Sequence, residues 1–188
     1  MVSCLGSGLM SSVALVIVLS LILVSVFLFN RLVKDRNRVR SAWSDIDVQL
    51  TRRHDLVPRL VEAVRAYAGH ERATMEAVTE LRNRSAAADR LADKAGFEDQ
   101  LESGVHKLLL LAEAYPDLKA NQNFLELQKE LVEVEDHLQY ARRFYNGSVR
   151  ILNTRIETVP DVIVAQLFRF QPAEFFAAEN RAAPEVKL

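Results

Sequence analysis

The chain has 188 residues, and its 24 Lys and Arg nearly balance its 25 Asp and Glu, giving a formal net charge of −1. This balance argues against a nucleic-acid partner, because counterion release requires an excess of positive charge on one face. A single cysteine, Cys4, excludes an intramolecular disulfide and a thiolate metal cluster.

The first predicted element is an uncharged apolar run from residue 9 to residue 29. Fifteen of these 21 residues are Leu, Ile, Val or Phe, and as a helix they span roughly 30 Å, the thickness of a hydrocarbon core. A cleaved signal peptide would need a basic start and a small-x-small cleavage site. The first 29 residues contain no Lys or Arg, and Phe27 to Phe29 occupy the cleavage position. The run therefore predicts a transmembrane helix after a short extracytoplasmic N-terminus, residues 1–8.

Five cations follow the apolar run directly, and none precedes it. They are Arg31, Lys34, Arg36, Arg38 and Arg40. The positive-inside rule then predicts that the N-terminus lies outside and that the rest of the chain lies in the cytoplasm. The same basic cluster has a second interpretation, attraction to anionic lipid headgroups at about 1 kcal/mol per cation. We favour the topological interpretation.

Residues 30–170 form the predicted cytoplasmic domain. Few Gly and Pro, with abundant Ala, Leu, Glu and Arg, make a helical composition. Apolar residues recur at alternating intervals of four and three, which is typical of one helix face packed against partners. The first such seam is Val39, Trp43, Ile46, Leu50, Arg53, Val57, Leu60, Val64 and Tyr67.

The first seam contains two unusual features. Arg53 is its only charge, so we expect this side chain to reach a carboxylate, helix-end carbonyls, water or another subunit. Pro58 lies in the same predicted helix, and its ring should meet the carbonyl of His54. Two interpretations are open here, one helix that bends at Pro58 or two helices separated at residues 55–58.

Two further helical zones follow. The second zone covers about residues 71–114 and includes a stretch, residues 85–96, that is either a loop or a frayed middle. Its apolar stripe is Met75, Val78, Leu81, Phe97, Leu101, Val105, Leu108 and Ala112. The third seam has one eleven-residue insert, which locally unwinds a coiled-coil-like helix. Its members are Phe124, Leu127, Leu131, Val134, Leu138, Ala141, Tyr145, Val149, Leu152, Ile156 and Val159.

A short amphipathic segment, residues 162–170, and a mobile C-terminal tail, residues 171–188, complete the chain. The predicted fold is therefore all-α, a transmembrane helix that leads into an antiparallel bundle of long helices. Asn146 and Asn153 lie seven residues apart at the edge of the third seam, where Asn is a poor helix former. They are either a polar ladder that bonds a neighbouring helix and fixes its register, or two exposed amides.

The sequence contains no pattern that is typical of catalysis. None of the four histidines has a Glu three residues before it, so the paired Glu-x-x-His of a di-iron bundle is missing. His70-Glu71 lacks the second histidine of a zinc protease motif, and no nucleophile elbow, phosphate loop or dinucleotide fingerprint is present. We therefore expect no enzyme activity, no cofactor, no bound metal and no small-molecule substrate.

Two spaced blocks resemble the LemA family. The first is Arg52-Arg53-His54-Asp55-Leu56-Val57-Pro58, followed by Leu60-Val61-Glu62 and Tyr67-Ala68. The second is Asn123-Phe124, Leu127-Gln128, Glu130-Leu131, Glu135 and Ala141-Arg142-Arg143-Phe144-Tyr145-Asn146, continued by Val149, Asn153, Ile156, Pro160, Ala165 and Phe168. The resemblance covers roughly residues 20–176. Three departures are Arg59, Val159 and Arg169, where the family often has Asn, Phe and Gly.

This resemblance implies a bacterial membrane-anchored helical bundle, and one branch of the family acts in building magnetosome membranes. It supplies no catalytic residues. We expect a non-enzymatic scaffold or assembly protein that crosses the bacterial inner membrane once. It would act at the lipid bilayer as a homo-oligomer or with a membrane-protein partner, and Arg53, Asn146 and Asn153 are the candidate interaction or register residues. The alternative is a lipid- or peptide-binding module at the membrane surface.

Overall fold

The computed structural model of the protein describes residues 2–177, with side chains from residue 12 onward. Over this range it is helical and contains no strand, so the prediction of an all-α fold is confirmed. The elements are α1 (Val2–Arg65), α2 (Arg72–Ala87), α3 (Leu91–Leu110), a 3₁₀ turn (Leu111–Glu113), α4 (Pro116–Lys119), α5 (Gln122–Glu157) and α6 (Asp161–Leu167).

The chain divides into two compact units. Within the described residues, the first unit contains residues 2–40 together with 148–173, and the second unit contains residues 41–147 together with 174–177. Each unit has its own buried apolar cluster.

The N-terminal part of α1 is long and apolar enough to cross a membrane. Only 6% of its most apolar 18-residue window is buried, whereas the core helix of a soluble protein is mostly buried. The short N-terminus predicted to be extracytoplasmic, residues 1–8, has no described side chains, and its residue 1 lies outside the described range.

In the second unit, α1 continues through Pro58 to Arg65 as one helix, which decides between the two interpretations of this segment. A proline has no N–H, so Pro58 removes the hydrogen bond that the carbonyl of His54 would otherwise accept within the helix. Arg82 from α2 replaces this donor, because its Nε donates to the His54 carbonyl at 3.2 Å. The helix remains continuous, and a part-buried carbonyl keeps a partner.

The predicted second zone is a helical hairpin rather than one interrupted helix. Residues 88–90 alone separate α2 from α3, so most of the stretch predicted as a loop or a frayed middle, residues 85–96, is regular helix. The two helices approach closely at Gly104, where an added Cβ would lie 2.7 Å from Cγ2 of Val78. A glycine at this position therefore permits the close packing of α2 against α3.

The long helix α5 begins with a side-chain cap. Asn121 precedes it, and its Oδ1 accepts a hydrogen bond from the backbone N–H of Phe124 at 3.1 Å. The predicted third seam is buried or half-buried from Phe124 to Ile156, but Val159 lies beyond the end of the helix and is exposed. The core of the second unit includes Val57, Leu60, Val64, Val78, Leu101, Leu108, Leu118, Phe124 and Val134.

In the first unit, α6 ends in a Schellman motif. The N–H of Phe170 donates to the carbonyl of Ala165 at 2.9 Å, and the N–H of Arg169 donates to the carbonyl of Gln166 at 3.2 Å. Arg169 has the positive φ of 54° that this motif requires. The reversal places Phe170 in the cluster formed by Leu28, Leu32, Val164 and Ala165.

We expect a double-mutant cycle to isolate the Pro58–Arg82 relationship. Arg82→Met should destabilise the protein by about 1–3 kcal/mol, because it leaves the His54 carbonyl without a donor. In a Pro58→Ala background the restored amide at position 58 can bond that carbonyl, so Arg82→Met should cost about 1 kcal/mol less. Denaturant unfolding of the full chain in detergent measures both costs.

Arg72→Met is the matched control, since Arg72 lies on the same helix and pairs with exposed Glu76. Its cost should be the same in both backgrounds. An equal cost of Arg82→Met in both backgrounds would contradict the proposed role of this side chain.

Candidate functional site

The second unit buries a charged network centred on Arg53, the cation that the sequence places on an apolar seam. Arg53 is 3% exposed. Its Nη1 lies 3.0 Å from Oε2 of Glu98 on α3, and its Nη2 donates to Oε2 of Glu135 on α5. One guanidinium thus joins α1 to two other helices, and the expectation that Arg53 reaches a carboxylate agrees with this geometry.

Glu98 is fully buried and receives hydrogen bonds at both carboxylate oxygens. Oε2 accepts from Arg53, while Oε1 accepts from Nε2 of His54 at 2.6 Å and from Oγ of Ser85 on α2. Four long helices, α1, α2, α3 and α5, therefore supply groups to one network. Since burial of an unpaired carboxylate is strongly unfavourable, these donors are what permit Glu98 to remain in the core.

The network favours the charged form of Glu98, and Arg53 stays charged although burial lowers its pKa. Burial opposes ionisation of Glu98, but the hydrogen bonds from His54 and Ser85 and the charge of Arg53 outweigh it and lower the pKa of Glu98. Burial also lowers the pKa of Arg53, with the nearby charge of Arg142 acting in the same direction and Glu98 opposing it. An arginine remains protonated in proteins, so the pair is ionised at neutral pH.

Glu98 and Ser85 are not among the residues predicted from the sequence, although helical spacing marks both positions. Glu98 lies three residues before Leu101 and continues the intervals of the α3 stripe, whereas the prediction placed Phe97 there. Ser85 lies seven residues after buried Val78, on the same face of α2. A polar residue at the helical spacing of a buried apolar stripe was the signal that could have identified both as buried polar groups.

An open cleft of about 280 Å³ adjoins this network. Arg53 and Glu135 line it together with apolar side chains that include Val105, Leu109 and Leu131. Arg53 and Glu135 are paired with each other at the cleft. Within the described residues, no group of three His, Cys, Asp or Glu side chains is placed to hold a metal ion.

Asn146 and Asn153 bond to backbone rather than to a neighbouring helix. In the second unit, Nδ2 of Asn146 donates to the carbonyl of Phe176 at 3.2 Å, and Oδ1 accepts from the Phe176 N–H at 2.9 Å. In the first unit, Asn153 makes the same pair of bonds with Ala173, at 2.9 Å and 2.8 Å. Each amide thus bonds the N–H and the carbonyl of one backbone residue in the irregular chain after α6, which neither interpretation of these asparagines anticipated.

Aromatic contacts in the second unit hold Phe176 as well. Its ring lies 5.9 Å from that of Trp43 and 4.9 Å from the guanidinium of Arg142. Trp43 also contacts Tyr145 edge-on at 5.8 Å, and the hydroxyl of Tyr145 donates to the carbonyl of Glu174 at 2.8 Å. Burial raises the pKa of Tyr145, and the charge of Glu174 adds to this shift. Glu174 and Phe176 of the predicted mobile tail thus make side-chain or backbone contacts, while the mobility of the tail stays a prediction and residues 178–188 lie outside the described range.

The predicted basic cluster lies in the first unit, and Arg31, Lys34, Arg36, Arg38 and Arg40 are all exposed. Arg36 lies over the ring of Phe170 at 5.1 Å. On the same segment, buried Asp35 pairs with Arg155 of α5 at 2.6 Å.

Comparison with known proteins gives a consistent match along most of the chain. The model of the LemA family matches residues 42–188. A similar curated protein, Protein LemA of Metamycoplasma hominis, is 28% identical over 154 residues, which cover 80% of this chain and 69% of that protein.

We expect Arg53→Ala to destabilise the protein by about 3–5 kcal/mol, because it leaves buried Glu98 without its charge partner. Arg59→Ala is the matched control on the same helix. Arg59 is exposed and lies 3.6 Å from an exposed carboxylate of Glu130, so its loss should cost no more than about 1 kcal/mol. Thermal and denaturant unfolding in detergent measures both, and similar costs for the two variants would contradict the structural role of Arg53.

Proposed function

The chain belongs to the LemA family, and we propose that it is a membrane-anchored helical scaffold that acts without catalysis, through self-association or partner binding at the membrane. Two features support this proposal. The N-terminal part of α1 has the length and hydropathy of a membrane span. The second unit buries its own core and still presents apolar side chains on an outer helix face.

The outer face of α5 is the observation that carries the scaffold proposal. Leu125, Val132, Tyr140 and Phe144 are exposed, and their intervals of seven, eight and four residues keep them on one side of the helix. Buried Leu138 belongs to the seam on the opposite side. A helix with one apolar face in the core needs no second one for folding, so the outer stripe is suited to contact with another protein.

Self-association is the testable form of this proposal. The full chain, reconstituted or in mild detergent, should form oligomers that rise with protein concentration in native mass spectrometry and cross-linking. Val132→Glu should shift the population toward monomer, because it places a charge in the outer stripe. Val48→Glu is the matched control, since Val48 on α1 is 56% exposed and Val132 is 52% exposed.

A monomer at every concentration, with no co-purifying partner, would contradict the scaffold proposal. If the oligomers persist in both the Val132→Glu and the Val48→Glu variants, the α5 stripe is not the surface through which the protein associates.

We further propose that the protein crosses the bacterial inner membrane once, with residues after the span in the cytoplasm. The support is the basic cluster of residues 31–40, since no cation precedes the apolar run.

A reporter that functions only in the cytoplasm should be active when fused after Leu188, and a reporter that functions only in the periplasm should be silent there. The control is a variant in which the positive charges of the basic cluster lie before the span instead of after it. This variant should show a weaker preference for a cytoplasmic C-terminus. The opposite reporter pattern in the unaltered chain would contradict the proposed orientation.

A lipid- or peptide-binding module is the second candidate, and the cleft beside Arg53 is the feature that favours it. Arg53 and Glu135 at this cleft already pair with each other, so the module ranks behind the scaffold. Mass spectrometry of an organic extract of the purified protein distinguishes the two, since enrichment of one lipid would favour the module.

A further inference from the structure

Helix α6 of the first unit exposes large apolar side chains in addition to those that it buries. Its inner side carries Val164 and Ala165, which are buried in the cluster that includes Leu28 and Leu32. Its outer side carries Ile163 and Leu167, which are 66% and 73% exposed and lie one helical turn apart. Exposed Gln166 lies next to Leu167, so the outer side is amphipathic, and its two large apolar side chains are suited to contact with an apolar partner.

The position of α6 within the first unit indicates what covers its outer side. Phe168, the residue after the helix, lies 4.7 Å from Phe29 of α1, measured between ring centroids. Phe29 is the last residue of the uncharged apolar run. Phe168 also lines an apolar groove of about 380 Å³, whose other walls are residues of α1 from Val18 to Phe29. The end of α6 is therefore next to the proposed membrane span itself.

Exposed cations in the same unit mark the level of lipid headgroups. Arg31 and Lys34 follow the span within five residues of Phe29, Arg36 lies over the ring of Phe170, and exposed Arg169 directly follows Phe168. Apolar side chains bordered by Arg and Lys are the pattern of a segment that lies in the membrane interface. The basic cluster then contacts headgroups, in addition to its topological role.

We propose that α6 is a second membrane contact, with Ile163, Leu167 and Phe168 inserted among the lipids around the cytoplasmic end of α1. This inference rests on the proposed membrane anchoring and extends it. The partner is the acyl and headgroup boundary of the bilayer, not a bound ligand and not a second copy of the chain. The bundle would thus be attached at two points of its sequence, before residue 30 and near residue 167.

Site-specific fluorescence in lipid nanodiscs tests this inference on the full chain. Cys4→Ser removes the only native thiol, and an environment-sensitive dye is then attached at Leu167→Cys or Ile163→Cys, with one protein per disc. Lipids that carry a quencher on the acyl chain report direct lipid contact. Leu23→Cys is the control inside the proposed span, and Asn37→Cys, at an exposed residue of the basic segment, is the control at headgroup level, outside the acyl chains.

The expected result is a blue-shifted emission at positions 163 and 167, with quenching close to that at position 23 and well above that at position 37. Quenching at position 23 but a water-exposed dye at 163 and 167 would overturn the α6 inference and leave the anchoring intact. Blue-shifted dyes at 163 and 167 that the lipids do not quench would indicate protein contact and would also overturn it. A water-exposed dye at position 23 would overturn the anchoring together with the inference.

Discussion

A buried positive charge constrains the helical bundle more tightly than any apolar contact does. The guanidinium of Arg53 cannot leave water without acceptors, and Glu98 cannot be buried without donors. The acceptors stand on α3 and α5, and the additional donors stand on α1 and α2. A hydrophobic seam tolerates a shift of one helix along another at modest cost, whereas this network is satisfied in one register only. Charge burial therefore fixes the relative positions of four helices.

The same requirement, that every buried polar group has a partner, explains the other irregular features. Pro58 removes a helix hydrogen bond, and Arg82 supplies the replacement from another helix. The chain after α6 has no regular secondary structure that would pair its backbone groups. The amides of Asn146 and Asn153 form hydrogen bonds with it instead, each within its own unit. Polar side chains in this protein thus complete the backbone where regular structure is interrupted.

Apolar side chains that the fold leaves exposed, by contrast, are the basis of the proposed functions. Both α5 in the second unit and α6 in the first unit have buried inner sides and exposed apolar outer sides. Their surroundings differ. The α5 stripe belongs to the helical bundle, whereas α6 lies beside the apolar run of α1. This difference is why we assign a protein partner to one surface and the lipid bilayer to the other.

The sequence by itself determined the helical fold class, the candidate membrane span and the seams of α1 and α5, because these depend on composition and on spacing along one helix. It also singled out Arg53 as a charge that needs a partner. It did not identify Glu98 as that partner, nor Arg82 as the donor for His54, nor the backbone of Phe176 as the partner of Asn146. These pairs are separated by 45, 28 and 30 residues. Only the tertiary structure decides such contacts, since periodicity shows which face of a helix is buried but not which residue of another helix faces it.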